Sequence, residues 1–160
     1  MPSLRLPAAL LTAGVVAALL TGCGSDGSSG SPAGGGSGGL DGPCDVTDRA
    51  TVASVFPGAS DGKPGQARNC TYRAGATTVN IYLFDGDLDG YKKQAKDNDI
   101  SFSPLSVGDA AIRDQLHSIT VQQGDVLFGV QALGGSVQEQ DLAKFDPQTL
   151  ALATKIAANL

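Results

Sequence analysis

The chain has 160 residues, with eleven basic and sixteen acidic side chains, a formal net charge of −5 and only 5% aromatic residues. An acidic chain without a cluster of Lys and Arg is poorly suited to the phosphates of nucleic acids or to anionic lipid headgroups. We therefore expect no nucleic-acid partner, and we interpret the acidity as a contribution to solubility.

Residues 1–22 have the features of a secretory signal. One basic side chain, Arg5, precedes an apolar run over residues 7–20. Fourteen helical residues reach roughly 21 Å, which is short of the ~30 Å hydrocarbon core of a bilayer. A run of this length behind a basic start is typical of a signal peptide and not of a membrane span.

The apolar run ends in Leu20-Thr21-Gly22-Cys23. This motif resembles the bacterial lipobox, Leu-small-Gly-Cys, and the alternative is an ordinary secretory signal with a chance cysteine. The resemblance implies cleavage before Cys23 and a diacylglycerol thioether on its sulfur. Acyl chains contribute about 0.8 kcal/mol per buried CH₂, so two or three hold a protein on a membrane. The sequence predicts a palmitoylated lipoprotein on the extracytoplasmic face of the cell membrane, with the membrane as partner through the lipid.

A low-complexity segment follows the lipidated cysteine, and together they make up residues 23–43. Residues 24–43 contain nine Gly and five Ser, with Leu40 as the only large apolar side chain. Such a composition cannot bury enough surface to offset its ordering entropy. As a Gly/Ser coil the segment would span roughly 25 Å. We interpret it as a disordered tether.

Residues 44–160 have the size of one ordinary domain. Cys44 and Cys70 lie within it and enclose a loop of about 25 residues, so in an oxidising compartment they are expected to form a disulfide. The alternatives are a metal site and a redox pair. A Cys-x-x-Cys motif is absent, and a single histidine is too little for a zinc site. No metal or other cofactor is expected.

Apolar periodicity and turn residues predict the secondary structure of this domain. The predicted elements are helix 47–56, loop 57–65, strands 68–73 and 77–84 around Gly75, helix 88–98 capped by Asp87, extended segment 100–107, strands 116–122 and 126–133 around Gly124-Asp125, and helix 147–159 capped by Asp146. Strand 77–84 carries apolar side chains on both faces, which indicates a central strand, while Pro104 confines its segment to an edge or a bulge. The fold class is therefore α+β, with a largely antiparallel sheet of about four to six strands and helices packed on it.

Three carboxylates in the order Asp85, Asp87 and Asp89 match the opening of a calcium-binding loop. That loop needs an apolar residue at its eighth position and a bidentate carboxylate at its twelfth. Here those positions hold Lys92 and Lys96, and a cation at the twelfth repels Ca²⁺. The favoured interpretation is that these aspartates cap a helix, whose N-terminal end attracts negative charge.

His117 is the single histidine, and its predicted strand places it on one face with Ile119 and Val121. We expect it at the margin of the core. General-base catalysis would need a nucleophile and an orienting carboxylate nearby. Asp109 and Asp114 are close in sequence, but no nucleophile signature accompanies them. No catalytic residue is predicted.

Gly108 and Asp109 form a turn with small side chains ahead of a new strand, where the backbone can approach a neighbour closely. Packing of this turn beneath a helix is favoured over a ligand contact.

The order of short motifs is similar to a family of actinobacterial lipoprotein domains of unknown function. The motifs are Leu20 to Cys23, Pro43-Cys44, Cys70-Thr71-Tyr72, and Gly108-Asp109-Ala110-Ala111 after Val107. The resemblance covers roughly residues 44–133, and it implies a two-cysteine α+β domain behind a lipobox and a tether. The family usually has a heavier aromatic residue after its second Cys and sometimes Trp elsewhere, and this chain has no Trp. The resemblance implies a fold and a location but no activity.

The favoured function is a membrane-anchored, non-catalytic binding or accessory module. Its partner would be a protein, a cell-wall component or a small molecule in a groove between sheet and helix. One alternative is a small extracytoplasmic hydrolase that uses carboxylates such as Asp85 and Asp87. Another is a sensor or regulator of a membrane-bound partner.

Overall fold

The structure is a computed structural model that describes residues 39–135 and 142–160. The predicted signal peptide, Cys23 and most of the predicted tether lie outside the described residues. The elements are α1 (Arg49–Ala53), β1 (Lys63–Pro64), β2 (Asn69–Ala74), β3 (Thr77–Phe84), α2 (Leu88–Asp97), β4 (Phe102–Leu105), β5 (Ala110–Asp114), β6 (Ile119–Gln123), β7 (Val126–Leu133), a 3₁₀ turn (Ala143–Phe145) and α3 (Asp146–Asn159). Among these helices, none is long and apolar enough to cross a membrane.

The strands form one antiparallel sheet in the order β1-β2-β3-β7-β6-β5-β4. The α+β class is confirmed, with seven strands where four to six were expected. The additional strand is β1, two residues long, within the segment predicted as a loop. Pro104 lies in β4, which is an edge strand as predicted, and β3 is internal.

The alternation of side chains along the strands divides the sheet into two faces with different coverings. One face packs on α1 and α3 and forms the main core, in which Leu83 of β3 lies beside Phe128 of β7. The opposite face carries a smaller cluster of Leu88, Ile112 and Leu127 under α2. Phe84 at the end of β3 packs against this second cluster, so the strand is buried on one face and partly covered on the other.

Two tight hairpins connect the strands at the centre of the sheet. Ala74 pairs with Thr77, and Gln123 pairs with Val126, so each connection has two residues. The first of these residues is glycine in both hairpins, Gly75 with φ +61° and Gly124 with φ +54°. A positive φ at the first position is the requirement of a type II′ turn, and this confirms the predicted Gly-first turn at Gly124-Asp125.

Helix α1 is shorter than the predicted helix 47–56. Asp48 is its N-cap and accepts a hydrogen bond from the amide of Thr51 at 2.7 Å. The helix ends at Ala53, yet a further turn places Phe56 in the main core, with its amide bonded to the carbonyl of Val52. The apolar spacing identified the buried side chains but not the end of the helix.

The expected disulfide is present between Cys44 and Cys70, with the two Cα atoms 4.9 Å apart. It joins the segment before α1 to β2. The Tyr72 hydroxyl donates to the carbonyl of Thr47 at 2.8 Å and makes a second link between the same segments. Leu40 also packs against the main core, so the packed structure includes a residue ahead of Cys44.

Candidate functional site

A cleft of about 590 Å³ opens where β3 ends and α2 begins. Its walls are the last residue of β3, the connection to α2, one side of α2 and the segment that follows the helix. The residues lining it are Phe84, Asp85, Gly86, Asp87, Gly90, Tyr91, Gln94, Ala95, Asn98 and Ile100. Their side chains combine aromatic rings, amides and carboxylates.

The turn between β3 and α2 requires a backbone conformation that few residues other than glycine adopt. Gly86 has φ +88°, in the left-handed region that glycine tolerates. Asp87 then caps α2, accepting a hydrogen bond from the amide of Gly90 at 2.8 Å, which confirms the predicted cap. A Cβ atom on Gly90 would lie 3.2 Å from the Asp87 carboxylate, so glycine leaves room for the capping side chain.

An aromatic row, consisting of Tyr82, Phe84 and Tyr91, runs from the sheet into the cleft. The rings of Tyr82 and Phe84 stack with centroids 6.0 Å apart, and those of Phe84 and Tyr91 are 5.1 Å apart and tilted by 49°. Gly129 on β7 makes room for this row, because a Cβ atom there would lie 2.9 Å from the Phe84 ring. Partial burial raises the pKa of Tyr82 above its ordinary value.

Beside the aromatic row lies a polar row on the same face of the sheet, consisting of Asn69, Thr71, Asn80 and Gln131. Thr71, Asn80 and Gln131 are cross-strand neighbours on β2, β3 and β7. The Thr71 hydroxyl donates to Asn80 Oδ1 at 2.9 Å, and Asn69 Nδ2 donates to Thr71 Oγ1 at 3.2 Å. Tyr82 Oη donates to Gln131 Oε1 at 3.4 Å and links the two rows. These bonds hold the polar row in one arrangement.

The three aspartates of the calcium-like motif have three different partners. Asp85 forms an ion pair with Arg68, Asp87 caps α2, and Asp89 pairs with Lys92 at 3.1 Å. Within residues 39–135 and 142–160, no group of three or more His, Cys, Asp or Glu side chains is placed to hold a metal ion.

Gly108 and Asp109 lie against β6 and do not line the cleft. Gly108 has φ +57°, and a Cβ atom on it would stand 2.8 Å from the carbonyl oxygen of Gln122. The amide of Asp109 donates to that carbonyl at 3.0 Å, and its carboxylate accepts from the amide of Gly124 at 2.8 Å. The close backbone approach is therefore to a strand, whereas the sequence favoured a helix.

Gln122 is a positioning residue for the cleft that the sequence did not single out. Its Oε1 accepts a hydrogen bond from the amide of Leu88 at 3.1 Å, and its Nε2 donates to the carbonyl of Gly124. The first turn of α2 is thereby tied to the β6–β7 hairpin. Nothing local in the sequence identifies this contact, because the two residues are 34 positions apart.

The placement of His117 in a strand was wrong. Strand β6 begins at Ile119, and His117 lies in the preceding turn with φ +60°. The physical reason is the carboxylate of Asp114, which accepts from the amides of Leu116 and Ser118 at 2.8 and 2.9 Å. An aspartate bonded to the amides ahead of it favours a turn over an extended strand. Burial raises the pKa of Asp114, and the two backbone hydrogen bonds and His117 oppose that change.

The predicted role of Asp146 as a helix cap was also wrong. The 3₁₀ turn before it already has helical geometry, so Asp146 is the first residue of α3, with φ −49° and ψ −47°. Its carboxylate instead lies 2.8 Å from His117 Nδ1 and 3.3 Å from the Arg113 guanidinium. This ion-pair cluster joins α3 to the β5–β6 turn.

The sequence did not identify the cleft, and of the residues that line it only Asp85 and Asp87 were singled out as candidate functional residues. Alternation along β3 places Tyr82 and Phe84 on one face, and helical spacing places Tyr91 on α2. The side chains of Phe84 and Tyr91 line one cleft with Gln94 and Asn98 because of the way α2 lies on the sheet. No local sequence pattern predicts that packing.

Comparison with known proteins finds no matching family model, no matching curated protein and no matching solved structure. The resemblance to the actinobacterial lipoprotein domains stays a prediction.

Proposed function

We propose that the protein is a lipoprotein on the extracytoplasmic face of the cell membrane, whose folded domain is a non-catalytic binding module. The apolar run, the lipobox-like motif ending at Cys23 and the Gly/Ser-rich segment after it support the anchored location. The disulfide between Cys44 and Cys70 suits an oxidising compartment outside the cytoplasm.

The observation that supports binding is the cleft and its chemistry. Its volume of about 590 Å³ falls within the range of small-molecule sites, which are typically about 300–1,000 Å³. Such sites combine apolar and aromatic surface with a few polar groups, and the cleft offers Phe84 and Tyr91 beside Gln94 and Asn98. The partner is therefore a molecule small enough to occupy this open cleft beside α2.

The two carboxylates of the cleft support binding over hydrolysis. A glycosidase-like mechanism needs one carboxyl group as an acid and another as a base or nucleophile. Asp85 already forms an ion pair with Arg68, and Asp87 already caps α2. Both carboxylates are therefore already engaged by structural partners.

Metabolic labelling with palmitate tests the anchored location. We expect label on the wild-type chain and none on a Cys23→Ala variant, because the Cys23 sulfur is the atom to which the diacylglycerol that carries the fatty acyl chains is attached. A Ser25→Ala variant, two residues further along, is the matched control and should be labelled normally. Label retained by Cys23→Ala, or a Cys23→Ala chain that remains in the membrane fraction, would contradict anchoring through this residue.

Residue-resolved NMR with a library of small neutral, cationic and anionic fragments tests the cleft. We expect the fragments that bind to shift the amide signals of Phe84, Tyr91 and Gln94. Fragments that shift only residues elsewhere would show that the cleft is not a binding site.

A further inference from the structure

We propose that the ligand of the cleft is a neutral saccharide, one sugar face of which packs on the rings of Phe84 and Tyr91. This inference rests on the cleft being the binding site, as proposed above, and adds the chemical class of the ligand.

The two rings offer the apolar part of such a site. Phe84 and Tyr91 are half-buried, and their centroids are 5.1 Å apart at an interplanar angle of 49°. The two ring planes are therefore tilted relative to each other and do not form a parallel stack. A pyranose presents a face of C–H groups to such a surface while its hydroxyls point outward. Aromatic side chains supply this apolar contact with little loss of conformational freedom.

The polar groups around the rings match hydroxyls. Gln94 is exposed, and its side-chain amide offers both a donor and an acceptor. Asn98 donates its Nδ2 to the carbonyl of Gln94 at 2.8 Å, which leaves Oδ1 as an acceptor. Asp87 Oδ1 accepts a hydrogen bond from the amide of Gly90, which leaves Oδ2 as a second acceptor. Vicinal hydroxyls can donate to these oxygens and accept from the Gln94 amide.

The charges of the cleft favour a neutral ligand. Of the described residues that line it, Asp85 and Asp87 are acidic and none is Lys, Arg or His. The carboxylate of Asp87 repels anionic ligands such as phosphorylated or sulfated molecules. A wholly apolar ligand would cover the amides and carboxylates without giving them hydrogen bonds, which is unfavourable. Arg68 already neutralises Asp85, so the remaining attraction for a cationic peptide is small.

The surface next to the cleft suits a ligand longer than one sugar. Tyr82 continues the aromatic row out of the cleft, and its hydroxyl is bonded to Gln131 of the polar row. This strip of aromatic and amide groups lies on the sheet face opposite α1 and α3. A trisaccharide should therefore bind more tightly than the corresponding monosaccharide.

The test uses the full-length chain in a polyoxyethylene detergent, which contains no sugar that would compete. The probes are maltotriose, cellotriose, mannotriose and tri-N-acetylchitotriose, each with its monosaccharide, and a Lys/Arg-rich hexapeptide. We expect at least one trisaccharide to shift the amide signals of Phe84, Tyr91 and Gln94 in a saturable manner. Tyrosine fluorescence gives a second readout, because the chain has three Tyr and no Trp.

Variants at Tyr91 separate a role in binding from a role in folding. Tyr91→Leu keeps an apolar side chain but removes the ring, and should weaken saccharide binding about tenfold. Tyr91→Phe keeps the ring and should bind within about threefold of wild type. Lys93→Ala, on the same helix but outside the cleft lining, is the matched control and should bind as wild type does. Equal binding by Tyr91→Leu and wild type would overturn the proposal.

The outcomes distinguish the two proposals. If library fragments shift the cleft residues but no saccharide does, the binding site stands and the saccharide class is wrong. Shifts at the same residues with the hexapeptide alone would assign the cleft to basic peptides. If neither fragments nor saccharides affect these residues, both proposals are wrong.

Discussion

Gly108 illustrates how a single residue can be identified from sequence while its partner cannot. A glycine followed by aspartate and two alanines indicates a turn with little side-chain bulk. In the structure, the backbone of β6 leaves no room for a side chain at Gly108. The carbonyl oxygen of Gln122 lies 2.8 Å from the position that a Cβ atom would occupy. Gln122 in turn holds the first turn of α2, so this close approach also supports one wall of the cleft.

A Gly108→Ala substitution should destabilise the fold by about 3 kcal/mol. The left-handed backbone costs a non-glycine residue about 1–2 kcal/mol, and overpacking against the rigid β6 backbone adds about 1–3 kcal/mol. Gly124→Ala is the matched control, because Gly124 has nearly the same φ but no atom within 4 Å of its Cβ position. It should lose only about 1–2 kcal/mol. Urea denaturation measures both, and equal losses would contradict the close contact.

Two aspartates that precede helices show how element context decides a side chain's role. Asp87 and Asp146 both stand where a cap was predicted. Asp87 follows the bend at Gly86 and has an extended backbone, with φ −119° and ψ 170°, so its side chain can cap α2. Asp146 follows a 3₁₀ turn and is already helical. Its carboxylate is therefore available to Arg113 and His117, and its charge still favours the N-terminal end of α3.

An Asp146→Ala substitution should reduce stability by about 1–3 kcal/mol, because it removes a partly buried carboxylate from two cationic or hydrogen-bonding partners. The Asp146 side chain is 23% exposed. The matched control is Asp61→Ala, which breaks an ion pair with Arg49. The side chain of Arg49 is 61% exposed and that of Asp61 is 85% exposed. That loss should be under about 0.5 kcal/mol. Thermal unfolding compares the two, and a similar small loss in both would show that the cluster does not secure α3.

At the scale of the whole molecule, the disulfide secures the first described residues to the sheet. Replacing both Cys44 and Cys70 by Ala should cost about 3–4 kcal/mol, because the unfolded chain is no longer restricted by a closed loop of about 25 residues. The wild-type chain in reducing agent is the matched comparison, and should lose a similar amount. A loss below about 1 kcal/mol in both would indicate that the packing of Leu40 and the Tyr72–Thr47 hydrogen bond suffice to hold this segment.

The order of the strands in the sheet also belongs to this scale. Local pairing was predictable, because Gly75 and Gly124 each mark a two-residue turn between alternating segments. The pairing of β3 with β7, which joins the two halves of the sheet, connects residues such as Ile81 and Val130 that are far apart in sequence. No turn signal specifies it. It follows from burying both hydrophobic strands at the centre under α1 and α3.

The sequence by itself determined the class of the fold, the disulfide, the hairpins, the cap at Asp87 and the edge position of Pro104. These depend on local chemistry: backbone preferences of Gly, Pro and Asp, side-chain alternation and the pairing of two cysteines. Only the tertiary structure decided the extent of α1, the roles of His117 and Asp146, and the cleft between β3 and α2. Those features depend on contacts between segments distant in the chain, and packing can override local propensity wherever it buries more apolar surface or satisfies a charge.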